Sequence, residues 1–131
     1  MKIRVCLAGA TGWAGSTLAG AIAQCDDIQL VSAVSRTYAG RNLSEVLSEP
    51  ALDCPSFTTA EQAVGQTCDE FFEYTKPTIA KASCLAALNA GANVVIGTFG
   101  LTEADYAELS AAAERQNLAV LAVGNFAITA A

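Results

Sequence analysis

The segment KIRVCLAGATGWAG at residues 2–15 decides the fold of this chain. It opens with a short apolar run that contains β-branched side chains, which is typical of a buried strand. Gly9, Gly12 and Gly15 follow directly, and residues 14–24 then repeat apolar side chains at helical spacing. A strand, a glycine-rich turn and a helix in this order favour a βα unit of the kind that binds dinucleotides.

The glycine turn, residues 9–15, has the chemistry that a pyrophosphate requires. Glycine allows positive φ and lets the backbone approach a ligand, and the following helix presents unpaired N–H groups and partial positive charge. Trp13 either covers the phosphates or the adenine, or packs on a helix face. The alternative for the whole turn is a tight connection that binds no ligand. We predict that six residues of the turn contact the cofactor: Gly9, Ala10, Thr11, Gly12, Trp13 and Ala14.

Beyond this turn, short apolar strands alternate with helices along the chain. Further strands are predicted at residues 28–35, near Phe57, and at residues 70–74, 93–96 and 119–123. Further helices are predicted at residues 43–47, 59–64, 78–89 and 102–116, with N-cap signals at Thr59 and Thr102 and with Pro77 at a helix start. The pattern predicts one α/β domain over residues 1–131: a Rossmann-like, doubly wound, mainly parallel sheet of about six strands with helices on both faces.

The end of the second predicted strand indicates which dinucleotide binds. An acidic residue there accepts hydrogen bonds from the ribose of NAD, but no carboxylate lies between Asp27 and Glu45. Ser35 and Arg36 occupy this region, and a hydroxyl and a guanidinium suit the 2′-phosphate of NADP, with Arg41 as a second cation. We therefore predict NADPH as the cofactor, with NADH as the alternative. The other interpretation of these cations is ordinary solvated loop charge.

Composition and charge exclude several classes of function. The chain is 53% hydrophobic and 15% charged, which is a globular composition. Thirteen acidic residues against seven basic ones give a net charge of −6, whereas nucleic-acid and anionic-membrane binders need a basic face. Glycines and hydroxyl residues interrupt the apolar run near the N-terminus, so we expect neither a signal peptide nor a membrane span, and a cytoplasmic location.

Side chains that commonly carry catalysis or bind metals are scarce. The chain has no histidine, which excludes Ser–His and Cys–His pairs and histidine metal sites within these residues. The five cysteines show no C-x-x-C spacing and indicate neither a zinc site nor a disulfide framework. We therefore predict no catalytic residue and no metal ligand in this chain.

Four segments together resemble the dihydrodipicolinate reductase family. The glycine turn resembles its phosphate loop, and Ser35 with Arg36 lies where the family distinguishes NADH from NADPH. YTKP at residues 74–77 resembles its Phe-Thr-x-Pro turn. GTFG at residues 97–100 and GNF at residues 124–126 resemble two segments that line the nicotinamide in that family. The resemblance implies further cofactor contacts at Tyr74, Thr75, Lys76, Gly97, Thr98, Phe99, Gly124, Asn125 and Phe126.

The resemblance also implies an activity and an assembly. It implies an NAD(P)H-dependent reductase of diaminopimelate and lysine biosynthesis, which transfers a hydride to a cyclic unsaturated dicarboxylate. In this family a second domain supplies the acid chemistry, the contacts to the substrate carboxylates and most contacts of a homotetramer. The present chain is therefore expected to be the cofactor-binding half, ending at the crossover to that domain, and to bind NADPH without catalysis.

Some positions depart from the family's pattern, and two other functions stay open. Glu73, Phe99, Ala127 and Thr129 stand where the family usually has Asp, Thr, Ser and Gly, mostly around the nicotinamide. Glu73 is interpreted as a buried or strand-end carboxylate that backbone N–H groups satisfy, and not as a catalytic group. The alternative functions are a non-catalytic module that senses NADP, and the cofactor domain of an enzyme similar to the semialdehyde dehydrogenases, which share GATGxxG.

Overall fold

The computed structural model describes residues 2–123. Its six strands are β1 (Ile3–Ala8), β2 (Ile28–Val34), β3 (Ser56–Phe57), β4 (Glu70–Glu73), β5 (Asn93–Ile96) and β6 (Val120–Ala122). Its five helices are α1 (Trp13–Ala23), α2 (Leu43–Val46), α3 (Ala60–Ala63), α4 (Pro77–Asn89) and α5 (Glu103–Gln116). The strands form one sheet in the order β3-β2-β1-β4-β5-β6, and every neighbouring pair is parallel.

Hydrophobic side chains cover both faces of this sheet. Along β1, Cys6 and Ala8 pack into the core beneath α3, α4 and α5, whereas Val5 and Leu7 pack into the core beneath α1 and α2. Successive strand residues point to opposite faces, so a central parallel strand must be apolar along its whole length. The predicted Rossmann-like, doubly wound sheet with helices on both faces is confirmed.

The helix starts follow the predicted cap signals. Thr59 and Thr102 each form a capping box, with Gln62 and Asp105 respectively, so the side chain and the backbone N–H of each cap are bonded reciprocally. Pro77 occupies the first position of α4, where its missing N–H costs no hydrogen bond. Within residues 2–123, no helix combines the length and the apolar character that crossing a bilayer requires.

Candidate cofactor-binding site

The predicted site residues that fall within residues 2–123 lie at the carboxyl ends of the four central strands. The chain moves outward from β1 to β2 and β3, then returns to β4 on the other side of β1, so the direction of winding reverses there. Ligands of open parallel sheets bind in the crevice at such a reversal. The glycine turn follows β1, Ser35 and Arg36 follow β2, residues 74–76 follow β4, and residues 97–99 follow β5.

The glycine turn packs so closely that two of its positions have no room for a side chain. Gly9 has a φ of +86°, and a Cβ there would lie 2.1 Å from the Tyr74 carbonyl oxygen. A Cβ at Gly15 would lie 1.9 Å from the Gly9 carbonyl oxygen, which also accepts a hydrogen bond of 3.0 Å from the Gly12 N–H. Glycine is therefore required at both positions for α1 to approach β1 and β4 this closely.

Among α1, α4 and α5, only α1 follows a glycine-rich turn and also lacks a side chain that caps its first N–H groups. Gly12 is the N-cap and has no side chain to satisfy the first N–H groups, and the first turn contains no acidic residue. The first helical bond runs from the Ser16 N–H to the Gly12 carbonyl at 2.8 Å. The N–H groups of Trp13, Ala14 and Gly15 therefore have no partner within the helix, an arrangement that favours an anion.

Trp13 and Ser35 lie in the predicted segments, but the Trp13 side chain is exposed to solvent and the Ser35 side chain is buried. The Trp13 side chain is 92% exposed, so the interpretation that it packs on a helix face is wrong for the described part of the chain. Ser35 is buried, and its hydroxyl bonds the Thr11 hydroxyl at 2.9 Å and accepts from the Tyr38 N–H at 3.2 Å. Ser35 thus joins the glycine turn to the loop after β2.

The two cations after β2 have different surroundings. Arg41 pairs with Glu45 at 3.7 Å, and its guanidinium lies 5.9 Å from the centre of the Tyr38 ring. Arg36 is exposed, and within residues 2–123 it forms no salt bridge. Arg36 is therefore the cation at this strand end whose guanidinium is available to a ligand phosphate.

The turn after β4 and the loop after β5 pack against each other. The Gly97 N–H donates to the Glu73 carbonyl at 2.9 Å. A Cβ at Gly97 would lie 2.2 Å from the Tyr74 ring, so the ring covers this glycine. Lys76 and Phe99 are exposed on the outer side, where a ligand can reach them. The structure thus brings Tyr74, Lys76, Gly97 and Phe99 together beside the glycine turn.

Three polar residues at this pair of loops are joined by hydrogen bonds between side chains and backbone, and we call Glu73, Thr75 and Thr98 the Glu73 network. The Thr98 hydroxyl donates to the Glu73 carbonyl at 3.2 Å and accepts from the Thr75 N–H at 2.9 Å. The Thr75 N–H, at 3.0 Å, and the Thr75 hydroxyl both donate to Oε1 of Glu73. The hydroxyl hydrogen of Thr98 is therefore used inside the protein, and its buried oxygen keeps one unused lone pair.

Glu73 differs in part from its sequence interpretation. The carboxyl is completely buried, and one oxygen accepts from backbone as expected, but Oε2 has no hydrogen-bond partner within residues 2–123. Burial raises the pKa of this carboxyl to about 7, against the lowering effect of the two Thr75 bonds. The sequence alone shows that a carboxylate stands at the end of an apolar strand. Its partner Thr98, 25 residues further on, is visible only in the fold.

Gly124, Asn125 and Phe126 lie outside the described residues. Within residues 2–123, no group of three or more metal-ligating side chains is close enough to hold an ion. The close-packed glycines, the open N–H groups of α1 and the exposed Arg36 together fit a dinucleotide.

Comparison with known proteins gives the family. The model of the family described as "Dihydrodipicolinate reductase, N-terminus" matches residues 3–126. The 4-hydroxy-tetrahydrodipicolinate reductases of Geobacillus kaustophilus (strain HTA426) and Bacillus velezensis are 30% and 33% identical over 131 and 129 residues, covering 99% and 98% of this chain. These matches cover 49% and 48% of the relatives, so the chain spans about half the length of the curated relatives it matches.

Solved structures agree with that assignment. The dipicolinate-bound dihydrodipicolinate reductase from Paenisporosarcina sp. TG-14 superposes with a TM-score of 0.80 at 28% identity, covering 98% of this chain and 49% of that one. GenD2 from gentamicin A biosynthesis, solved in complex with NAD, superposes with a TM-score of 0.78 at 21% identity over 95% of this chain and 35% of that one, and shows the shared fold alone. The chain belongs to the dihydrodipicolinate reductase family and corresponds to its N-terminal part.

Proposed function

We propose that this chain is the cofactor-binding half of an NAD(P)H-dependent reductase of diaminopimelate and lysine biosynthesis. The observation that carries the proposal is the glycine turn, which places the open N–H groups of α1 at the reversal of the sheet. The relatives are named 4-hydroxy-tetrahydrodipicolinate reductase, and one solved structure holds dipicolinate. These names support a cyclic unsaturated dicarboxylate as the substrate.

The cofactor's phosphates are assigned to main-chain donors and to one arginine. The N–H groups at the start of α1 are positioned to bind the pyrophosphate, where they add the positive end of the helix dipole. No carboxylate stands at the end of β2 to repel a 2′-phosphate, and Arg36 is exposed beside it. This arrangement supports NADPH as the preferred cofactor, with NADH as the weaker ligand.

The nicotinamide is assigned to the opposite side of the site. When bound there, the reduced ring supplies a hydride to the substrate. Tyr74 and Phe99 would form its walls, the Thr98 oxygen would accept from its carboxamide, and residues 124–126 complete the set by sequence. The proton that accompanies the hydride is assigned to residues outside these 131, because the described site contains no exposed acid or histidine. We therefore expect the isolated chain to bind cofactor without turnover, and the whole protein to form a homotetramer.

Calorimetric titration of the chain with NADPH and NADH tests this proposal. Replacing Arg36 with Ala removes charge-assisted bonds to the 2′-phosphate, which are worth about 1.5–3 kcal/mol, or roughly 10- to 100-fold in Kd. We expect that loss for NADPH and almost none for NADH. The matched control is Arg115→Ala, in the last turn of α5 at the other end of the sheet.

Each outcome has a defined meaning. Selective loss of NADPH affinity supports both the site and the cofactor preference. Equal affinity of the unmodified chain for both dinucleotides would contradict Arg36 as the selector and leave the reductase assignment in place. Binding of neither dinucleotide would contradict the assignment of the glycine turn, and reductase activity of the purified chain would contradict the predicted lack of turnover.

A further inference from the structure

Glu73 is a buried titratable group that has no part in the hydride transfer proposed above. Its side chain is completely inaccessible, and Oε2 meets no donor within residues 2–123. It lies on the same face of β4 as Phe71, which packs in the core beneath α4. A charged carboxylate oxygen without a partner in apolar surroundings is costly, so this position favours the protonated form.

Glu73 nevertheless controls the shape of the cofactor site through its other oxygen. Oε1 holds both the N–H and the hydroxyl of Thr75, which fixes the turn at residues 74–76. That turn touches the glycine turn directly, because a Cβ at Gly9 would lie 2.1 Å from the Tyr74 carbonyl and 3.4 Å from Cγ2 of Thr75. The Tyr74 N–H also donates to the carbonyl of Ala8, the residue before Gly9, at 2.9 Å.

We propose that Glu73 is a positioning residue for the dinucleotide: it fixes the turn after β4 against the glycine turn, and it takes up a proton as the anionic cofactor binds. The inference rests on the proposed cofactor site. A dinucleotide carries at least two negative charges on its pyrophosphate, and it would bind over the strand end beneath which Glu73 lies. Two negative charges in a poorly screened region oppose each other, so cofactor binding and protonation of Glu73 favour each other reciprocally.

The protonation of Glu73 falls in an accessible pH range. Burial raises the pKa of its carboxyl to about 7 before any ligand is present, and a nearby anion raises it further. A group whose pKa rises on binding takes up protons near that pKa, so affinity falls as the pH increases through it. The affinity for cofactor is therefore expected to be highest at mildly acidic pH.

Within residues 2–123, the titratable groups whose electrostatics couple to Glu73 are two buried thiols. The neighbouring groups are the thiols of Cys6 on β1 and Cys84 on α4, and burial raises the pKa of both, that of Cys6 to about 12. The adjoining part of β5 and its loop presents Ile96, Gly97 and Thr98, which do not titrate. Lys76, on the turn itself, is exposed to solvent. The proton uptake is thus assigned to Glu73.

Calorimetry of NADH binding in buffers of different ionisation enthalpy measures this uptake directly. NADH is the suitable probe, because the 2′-phosphate of NADPH also titrates near neutral pH. At pH 7 we expect a fraction of one proton to be taken up per NADH. The Kd should increase by up to about tenfold between pH 6 and 8.5 for each unit by which binding raises the pKa. The measurement needs no variant, so it holds even if substitutions at Glu73 prevent folding.

Two variants identify the group. Glu73→Gln keeps an oxygen for Thr75 but cannot exchange a proton, so its NADH affinity should be independent of pH between 6 and 8.5. Glu70→Gln is the matched control on the same strand, where Glu70 accepts from the Asn93 amide at 2.8 Å, and it should retain the profile of the unmodified chain.

The outcomes separate this inference from the proposed function. NADH binding without proton uptake would overturn the role of Glu73, and so would uptake that persists unchanged in Glu73→Gln. Both results would leave the cofactor site intact. If neither NADH nor NADPH binds at any pH, the proposed function itself fails, and the positioning role fails with it.

Discussion

In the glycine turn the main chain holds the shape, whereas in the Glu73 network side chains hold it. Between residues 9 and 15 the packing depends on absent Cβ atoms. Among the described residues, one side-chain hydrogen bond leaves the turn, and it joins Thr11 to Ser35. The network of Glu73, Thr75 and Thr98 instead makes four hydrogen bonds among its own members. Both regions border the same crevice, at the ends of β1, β4 and β5.

One half of the site therefore has N–H groups that are free to bind a ligand, whereas the hydrogen-bonding groups of the other half largely bond to one another. At the end of the glycine turn the first N–H groups of α1 have no partner within the helix, so an anion can replace water there without displacing a protein partner. The Glu73 network has used most of its donors, so it offers a ligand a fixed surface and few hydrogen bonds. We therefore expect substitutions in the turn to act by steric overlap, and those in the network to act through charge and hydrogen bonds.

Steric overlap in the glycine turn should give the largest effect. In Gly15→Ala the new Cβ would lie 1.9 Å from a carbonyl oxygen of the backbone, which cannot move without displacing the turn. We expect a loss of about 4 kcal/mol or more in the free energy of unfolding, or failure to fold. Gly20→Ala, in the same helix with nothing within 4 Å, is the control and should gain about 0.5–1 kcal/mol. Urea unfolding of the two variants measures both, and similar stabilities would contradict the packing described here.

The charge of Glu73 should give the next largest effect, as a dependence of stability on pH. Its pKa is raised from 4.5 to about 7 by folding, so the folded chain binds more protons than the unfolded chain between these values. The stabilisation is complete below about pH 4.5 and is lost as the pH rises through about 7, with a size of up to about 3 kcal/mol. Relative to the unmodified chain, Glu73→Gln should gain stability by that amount between pH 5 and 8.

Urea unfolding across this pH range checks the sign as well as the size. Glu70→Gln is the control, and its curve should run parallel to that of the unmodified chain. The other acidic groups are the same in the unmodified chain and in Glu73→Gln, so the difference between these two curves isolates Glu73. A flat difference between the unmodified chain and Glu73→Gln would show that burial does not raise the pKa of this carboxyl.

The same contrast explains why the sequence predicts the glycine turn and not the Glu73 network. The glycine turn is local: Gly9, Gly12 and Gly15 lie within seven residues, so their spacing alone indicates the βα connection and its free N–H groups. The doubly wound, parallel sheet also followed, because alternating strands and helices allow few arrangements, whereas the strand order was not predicted. The Glu73 network was missed because Thr98 lies 25 residues from Glu73, and the two meet only when β4 and β5 pair.

The contacts of individual side chains could not be predicted from the sequence either. Ser35 was predicted at the correct strand end, yet its hydroxyl is bonded to Thr11, a contact that depends on the register between β1 and β2. Trp13 was given two interpretations because exposure cannot be deduced from a position in a helix alone. The structure excludes packing by its 92% exposure, and its contact with cofactor remains a prediction.

The smallest expected changes in the free energy of unfolding come from matched threonine-to-valine substitutions, one in each region. Thr98→Val removes a buried hydroxyl that bonds to the Glu73 carbonyl and the Thr75 N–H, while each of those groups keeps one other partner. We expect a loss of about 1–2 kcal/mol in the free energy of unfolding. Thr11→Val removes one bond at a half-buried position, where water can replace the hydroxyl, and should cost less than about 1 kcal/mol.

Which of the two substitutions lowers the free energy of unfolding more tests the contrast between the regions. Valine has nearly the shape of threonine, so both substitutions remove hydrogen bonds while leaving packing almost unchanged, and urea unfolding compares them directly. After Thr11→Val, the Ser35 hydroxyl still accepts from the Tyr38 N–H, so no buried polar group is left without a partner. If Thr11→Val were the more costly of the two, side-chain bonding would hold the glycine turn more strongly than the Glu73 network. The description of one half as held by main chain and the other by side chains would then be wrong.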